Sequence, residues 1–205
     1  MPHSVKISEM TAQPRPPRGL NGLLSRAVKS FRIRETLREI RDAHTVLDLG
    51  CGLCELTARL DPNIDYTGVE RDPWLYERAL RLFPRRRFLR ADIEDRAFSP
   101  GGRYDVILLV AVWEHLRRPL EFLDRAAEWI EPGGRLVMTT PSPAAHRILD
   151  AGAAVRLLSP HADEEHERLW SIAEITDAAT ERGWRVLASR RFLGGLNQIV
   201  VLVSD

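Results

Sequence analysis

The chain has 205 residues, enough for one well-filled core and too few for two large domains. Thirty Lys and Arg against 29 Asp and Glu leave a formal charge of +1, so no global field argues for nucleic acid or a membrane surface as partner. The longest apolar run, Val106 to Trp113, is far too short to span a bilayer, and the first twenty residues lack the apolar stretch of a secretion signal; the expectation is a cytoplasmic protein.

Met1 to Pro17 holds four prolines and few large apolar residues, which predicts a mobile arm over residues 1–18 and a single domain over 19–205. Met1 to Arg41 carries a local net charge of +6. Arg32, Arg34, Arg38 and Arg41 form no tight stripe at helical spacing, so this excess reads as a solvated face. Leu24, Val28, Phe31, Leu37 and Ile40 give Leu20 to Ile40 a helical pattern. Strand and helix then alternate. Thr45 to Leu49 is a strand running into Asp48-Leu-Gly50-Cys-Gly52, and Glu55 to Leu60 reads as a helix opening after it. A helix N-terminus there would present unpaired N–H groups to the polar tail of a nucleotide-like ligand. Tyr66 to Glu70 is the second strand, and Asp72-Pro73 caps a helix reaching Leu82. Pro84-Arg-Arg-Arg87 is a charged surface turn before a short third strand, Arg87 to Arg90, which ends at Ala91-Asp92.

The fourth strand, Tyr104 to Val112, is apolar almost throughout, as a central parallel strand buried on both faces requires. Pro119 starts a helix through Leu120, Leu123, Ala127 and Ile130. It stops at the turn Glu131-Pro-Gly-Gly134, and a fifth strand follows over Arg135 to Thr140. Pro141 to Leu169 is mixed, with an apolar helical piece over Ala145 to Leu158 and an acidic, histidine-bearing turn; residues 141–170 read as a substrate-covering segment. Ser171-Ile-Ala-Glu174 is a capping box for a helix that Gly183 closes. Trp184 to Ser189 and Gln198 to Val203 are two further strands whose short link, containing Gly194-Gly195, makes them antiparallel. The predicted fold is α/β: a doubly wound, seven-stranded, mostly parallel sheet with an antiparallel last strand, in one domain. Ligands on such sheets bind beyond the carboxyl ends of the strands, where every feature singled out falls.

A dinucleotide loop, G-x-G-x-x-G, would need a third glycine where Glu55 stands, beside a pyrophosphate it would repel. The chain instead resembles the class I S-adenosylmethionine-dependent methyltransferases, closest to the small-molecule enzymes of the ubiquinone and menaquinone type, whose fold is Rossmann-like. The resemblance runs from Thr45 to Val203. It rests on Asp48-Leu-Gly50-Cys-Gly52, on Glu70 at the end of strand two and 22 residues beyond Asp48, on Asp92, on Trp113-Glu-His115 after strand four, and on the Pro-Gly-Gly turn before strand five. That family often has a third glycine where this chain has Cys54.

The resemblance implies S-adenosylmethionine as cofactor and S-adenosylhomocysteine as product. It assigns Gly50, Cys51 and Gly52 to close backbone approach at the methionine part, with Asp48 orienting the amino group. Glu70 would hold the ribose, Arg71 lie along the adenine, Asp92 and Ile93 read the base, and the backbone of Val110 and Ala111 line the methionine side. His115 is the candidate general base, with a purely structural histidine as the alternative; His161 and His166 fall in the covering segment. Some relatives place a metal on Glu-x-x-Glu-His, but Ala111 fills the first place here, so no metal is carried over. Cys51 and Cys54, a lone C-x-x-C, read as loop residues rather than a redox or zinc pair. The Asn/Asp-Pro-Pro-Tyr/Phe pattern of exocyclic-amine methylation is absent. The acceptor is expected to be a small molecule. A protein or RNA acceptor engaged by the basic arm, or a non-catalytic cofactor-binding module, are the alternatives.

Overall fold

The computed structural model describes residues 23–145 and 168–204. The predicted arm, most of the covering segment, His161 and His166 lie outside the described residues. Seven strands form one sheet in the order β3-β2-β1-β4-β5-β7-β6: β1 (Thr45–Leu49), β2 (Asp65–Glu70), β3 (Arg87–Arg90), β4 (Tyr104–Val110), β5 (Ile130–Pro141), β6 (Trp184–Phe192) and β7 (Asn197–Ser204). The first five pair in parallel. β7 enters antiparallel between β5 and β6. The chain departs from β1 toward β2 and β3, then returns to β1's other edge with β4, which makes the β1/β4 boundary the topological switch point.

Val106, Ile107, Leu108 and Leu109 in β4 are fully buried, as a strand covered on both faces should be. One face packs against α3 (Pro119–Glu128) and α4 (Ile172–Thr180) through Phe122, Leu123, Trp129, Ile175 and Trp184. The other packs against α1 (Leu23–Glu39) and α2 (Pro73–Leu82) through Ile33, Ile40, Tyr66, Ala79 and Phe88. The local signals act as expected at two helix starts. Asp72 accepts from Leu75 N at 2.9 Å with Pro73 in the first turn. Ser171 and Glu174 close a reciprocal capping box.

Four expectations are corrected. No helix follows the glycine loop: Glu55 to Leu60 holds only a 3-10 turn over Thr57–Arg59, ended by Leu60 in an extended conformation. β4 stops at Val110 rather than Val112, because Ala111 adopts φ +59. β5 starts at Ile130, since the Glu131-Pro-Gly-Gly134 turn is a bulge inside the strand. Pairing with β4 holds at Ile130 and resumes at Arg135. A side chain at Gly134 would sit 2.7 Å from Ile130 Cγ1 and 2.8 Å from Glu131 O, so the bulge closes only on glycine. Finally, the basic face of α1 is not simply solvated. Arg38 and Arg190 both reach the buried Glu35, and Arg190 also holds Glu39 at 2.8 Å.

The Glu35 cluster pins α1 to the outer strand β6. Burial pushes the Glu35 carboxyl up, but the Arg190 hydrogen bond and the Arg38 charge outweigh it and hold it below the ordinary value. Removing one cation strands a desolvated carboxylate on its remaining partner. Arg190→Met is expected to lower unfolding stability by roughly 2 kcal/mol in urea titration; an unchanged midpoint would show that Arg38 alone suffices.

Candidate active site

A cavity of about 750 Å³ opens at the carboxyl ends of β1 to β4. Its floor is the loop after β1. Gly50 takes φ +76, and a Cβ there would meet Val112 Cγ2 at 2.7 Å. Gly52 takes φ +51 with open space where its Cβ would be, the nearest atom being Gly50 O at 3.9 Å. Cys54 also lies in the left-handed region, at φ +59. It therefore supplies the turn that glycine would make without the cost of a Cβ in that region, about 1–2 kcal/mol. The N–H groups of Gly50, Cys51 and Gly52 are already used. Gly50 N and Cys51 N both donate to Val69 O at 2.8 and 3.0 Å. Gly52 N donates to Glu70 Oε2 at 2.9 Å. With no helix behind it and these donors spent, the loop admits a ligand by lacking side chains rather than by offering a helix terminus.

Glu70, 8% exposed, is held at both oxygens: Oε2 by Gly52 N and Oε1 by Asp72 N, each at 2.9 Å. Each oxygen keeps a lone pair for a ligand hydroxyl. Arg71 and Leu75 line the cavity beside it. Across the cavity, Asp92 Oδ1 accepts from Glu94 N at 2.9 Å. Arg117 spans the rim, with Nη2 3.9 Å from Asp92 Oδ2 and Nε 3.3 Å from Glu94 Oε2. Ile93 lines the same wall. On the β4 side the wall is Ala111, Val112 and, beyond them, His115 and Leu116. Ala111 N donates to Thr139 O at 2.8 Å, which fixes the turn.

Of the residues singled out from sequence, Gly50, Gly52, Glu70, Arg71, Asp92, Ile93, Ala111 and His115 line this cavity. Asp48, Cys51 and Val110 do not. Val110 packs into the core on the α1 side. Cys51 and Cys54 are buried free thiols, and Cys54 Sγ donates to Gly52 O at 3.7 Å. The interaction between the two thiols, with burial, raises Cys51; the same interaction lowers Cys54 against burial, which pushes it up. Asp48 lies beneath the loop, 3% exposed, where its Oδ2 accepts from Tyr66 OH at 2.8 Å. Thr57 Oγ1 in turn donates to Tyr66 OH at 2.9 Å. Sequence reasoning missed Val69, Leu75, Ala91, Glu94, Val112, Leu116 and Arg117. Ala91 and Glu94 are flagged by their neighbour Asp92; nothing in the local sequence marks Arg117.

The family model described as a methyltransferase domain matches residues 21–189, and the chain belongs to that family. It is 29% identical over 138 residues to the ubiquinone biosynthesis O-methyltransferase of Vibrio parahaemolyticus serotype O3:K6, covering 63% of this chain and 59% of that protein. It is 30% identical over 148 residues to the trans-aconitate 2-methyltransferase of Azoarcus sp. strain BH72, covering 59% of this chain and 58% of that protein. The chain thus spans under three fifths of the length of these curated relatives. Among solved structures, an S-adenosylmethionine-dependent methyltransferase from Clostridium acetobutylicum superposes with a TM-score of 0.68 at 14% identity, over 91% of this chain and 96% of that one. The N-methyltransferase NodS from Bradyrhizobium japonicum, in complex with S-adenosyl-L-homocysteine, gives 0.65 at 17%, over 97% and 96%. At these identities the likeness is one of fold. No helix among the described residues is long and apolar enough to cross a membrane.

Burial pushes the Asp48 carboxyl up to about 6; the Tyr66 hydrogen bond opposes the rise and the Glu70 charge adds to it. The folded chain therefore holds this proton more tightly than the unfolded one between pH 4 and 6. Stability from this group is full below that window and falls as pH rises through it, by about 3 kcal/mol. Asp48→Asn should remove that decline, read as the wild-type minus variant difference in urea midpoints of ligand-free protein from pH 4 to 7. A difference that does not change with pH would mean Asp48 stays ionised in the fold.

Proposed function

We propose that this protein transfers the methyl group of S-adenosylmethionine to a small-molecule acceptor, releasing S-adenosylhomocysteine, and that it works in the cytoplasm. The observation that carries this reading is the convergence of Glu70 and Asp92, from the ends of β2 and β3, on one cavity floored by side-chain-free Gly50 and Gly52. The donor set suits the ligand. Fixed carboxylate lone pairs on Glu70 match a ribose diol, and the acidic groups Glu70, Asp92 and Glu94 favour a sulfonium cation over a pyrophosphate. The names of the relatives, one acting in ubiquinone biosynthesis and one on trans-aconitate, support a small-molecule acceptor.

When bound, the sulfonium supplies an activated methyl group with a neutral thioether as leaving group. The chain's task is alignment and exclusion of water, and alignment alone is worth roughly 7–11 kcal/mol. Gly50 and Gly52 let the methionine part lie against backbone, and Asp48 below contributes negative charge. Glu70 holds the ribose hydroxyls; Asp92 and Ile93 take the base, with Arg71 alongside. Ala111 and Val112 wall the methionine side. His115, on the turn after β4, takes the acceptor's proton at an imidazole nitrogen where the acceptor arrives protonated.

Calorimetry with S-adenosylhomocysteine should give a dissociation constant on the order of micromolar, about 8 kcal/mol of binding. Glu70→Ala should weaken it about 100-fold by removing charged hydrogen bonds, and adding Gly50→Val should abolish it. Absence of heat from wild type with either donor or product sinks the cofactor assignment. His115→Gln should bind product normally and lose turnover; full turnover in that variant would remove His115 from the chemistry.

A further inference from the structure

The cavity wall that carries Asp92 is held from behind by three arginines at and just before α3, and one of them keeps a donor for the cavity. Arg125 donates from Nη1 to Ile93 O at 2.9 Å and from Nη2 to Asp95 O and Phe98 O at 2.8 and 2.9 Å. Arg118 donates from its backbone N to Glu94 Oε1 at 2.8 Å and from Nη2 to Glu94 O at 3.0 Å. Glu94 is buried, so these bonds fix a desolvated carboxylate. Its other oxygen, Oε2, accepts from Arg117 Nε at 3.3 Å, which orients that guanidinium. The far end of the guanidinium reaches the cavity: Arg117 lines it, and Nη2 stands 3.9 Å from Asp92 Oδ2, too far for a hydrogen bond. Asp92 Oδ1 is turned to its own loop, where it accepts from Glu94 N at 2.9 Å. The side chains of Arg117 and Asp92 are 61% and 41% exposed, and an ion pair so open to water contributes little to stability.

Asp92 Oδ2 and Arg117 Nη2 thus stand side by side on one wall, an acceptor and a donor with no hydrogen-bond partner among the described residues. A ligand edge that offers a donor next to an acceptor satisfies both, and the edge of adenine that bears the exocyclic amine and N7 is such an edge. We propose that Arg117 is a cofactor-binding residue that donates from Nη2 to N7 of the adenine, while Asp92 Oδ2 accepts from the exocyclic amine. This rests on the cofactor reading above. The choice of N7 over N1 follows from the side of Asp92 that each group occupies. Ile93, already given to the base, belongs to the loop toward which Oδ1 is turned, whereas Arg117 approaches the opposite oxygen. With Ile93 on one flank of the amine, the flank left to Arg117 is N7. A guanidinium already held by Glu94 loses little freedom when the base arrives, so the contact costs little entropy.

Calorimetry on the full chain compares S-adenosylhomocysteine with its 7-deaza and 1-deaza analogues, in each of which one ring nitrogen becomes C–H. Wild type is expected to bind the 7-deaza analogue about tenfold more weakly than S-adenosylhomocysteine, the equivalent of one lost charged hydrogen bond. In Arg117→Met the two should bind within about twofold of each other, with S-adenosylhomocysteine itself about tenfold weaker than in wild type. The 1-deaza ratio should be the same in both proteins. An arginine that merely braces the wall would weaken all three ligands alike and leave the 7-deaza ratio untouched, and that result overturns the proposal. So does a wild type that binds the 7-deaza analogue as tightly as S-adenosylhomocysteine, or a 1-deaza ratio that Arg117→Met abolishes. Should Arg117→Met fail to fold, Arg117→Gln, which keeps an amide donor for Glu94 Oε2, decides by the same ratio. Failure of the cofactor reading itself is distinguished, because wild type would then give no heat with S-adenosylhomocysteine at all.

Discussion

Glu70 holds the candidate site together. Its two oxygens, one on Gly52 N and one on Asp72 N, tie the end of β2 to the loop after β1 and to the start of α2. Three chain segments that are 18 residues apart or adjacent in sequence thus share one desolvated carboxylate. The loop has no helix to anchor it, and Thr57–Arg59 is a single 3-10 turn. Its shape comes from this carboxylate, from Val69 O accepting two consecutive N–H groups, and from left-handed residues at Gly50, Gly52 and Cys54. A carboxylate held at both oxygens by backbone donors is preorganised, because a ligand reaching the cavity would find its acceptor oxygens already aimed.

Beneath this surface layer sits a second acid, and the two have different jobs because their surroundings differ. Glu70 is satisfied by backbone donors and borders the cavity. Asp48 is sealed from solvent with Tyr66 as its hydrogen-bond donor, and Thr57 behind Tyr66 completes the chain. Desolvation dominates there, which is why the Asp48 proton is held into the range near pH 6. A cationic ligand arriving above the loop would repay part of that cost by favouring the ionised form, so burial of Asp48 stores electrostatic energy that ligand binding releases. The Cys54 strain and the Asp48 burial are both local costs gathered at the loop that floors the cavity.

The strands and their order of use were legible because each is bounded by chemistry that acts locally. Asp72-Pro73, Ser171-Ile-Ala-Glu174 and Gly183 mark helix ends, and the unbroken apolar run in β4 marks a strand buried on both sides. The cavity walls followed wherever a motif residue and its wall residue are neighbours in sequence. What escaped the sequence depends on distant partners. Arg32 reads as one of several scattered arginines until Asn197, 165 residues away, takes its Nε–H. Arg117 has no local signal, because its role is to bridge Asp92 and Glu94 from another element. Glu55 to Leu60 carries helical residues, yet the left-handed Cys54 and the extended Leu60 leave space for one short turn only. The Pro-Gly-Gly bulge reads as a boundary in sequence, because the pairing that resumes beyond it at Arg135 depends on β4 and not on the turn.

Division of labour along the sheet follows from the same geometry. The β1–β4 side presents carboxylates and bare backbone, chemistry that a shared nucleoside ligand demands and that motif residues supply. The β4–β7 side presents α1 and β7 instead, elements outside those motifs. Tethering α1 through Glu35, Arg190 and Glu39 to β6 makes that side a rigid body rather than a loose cover. Arg32 lies one turn before Glu35 on the same helix, so its guanidinium inherits that rigidity, and Asn197 fixes its direction.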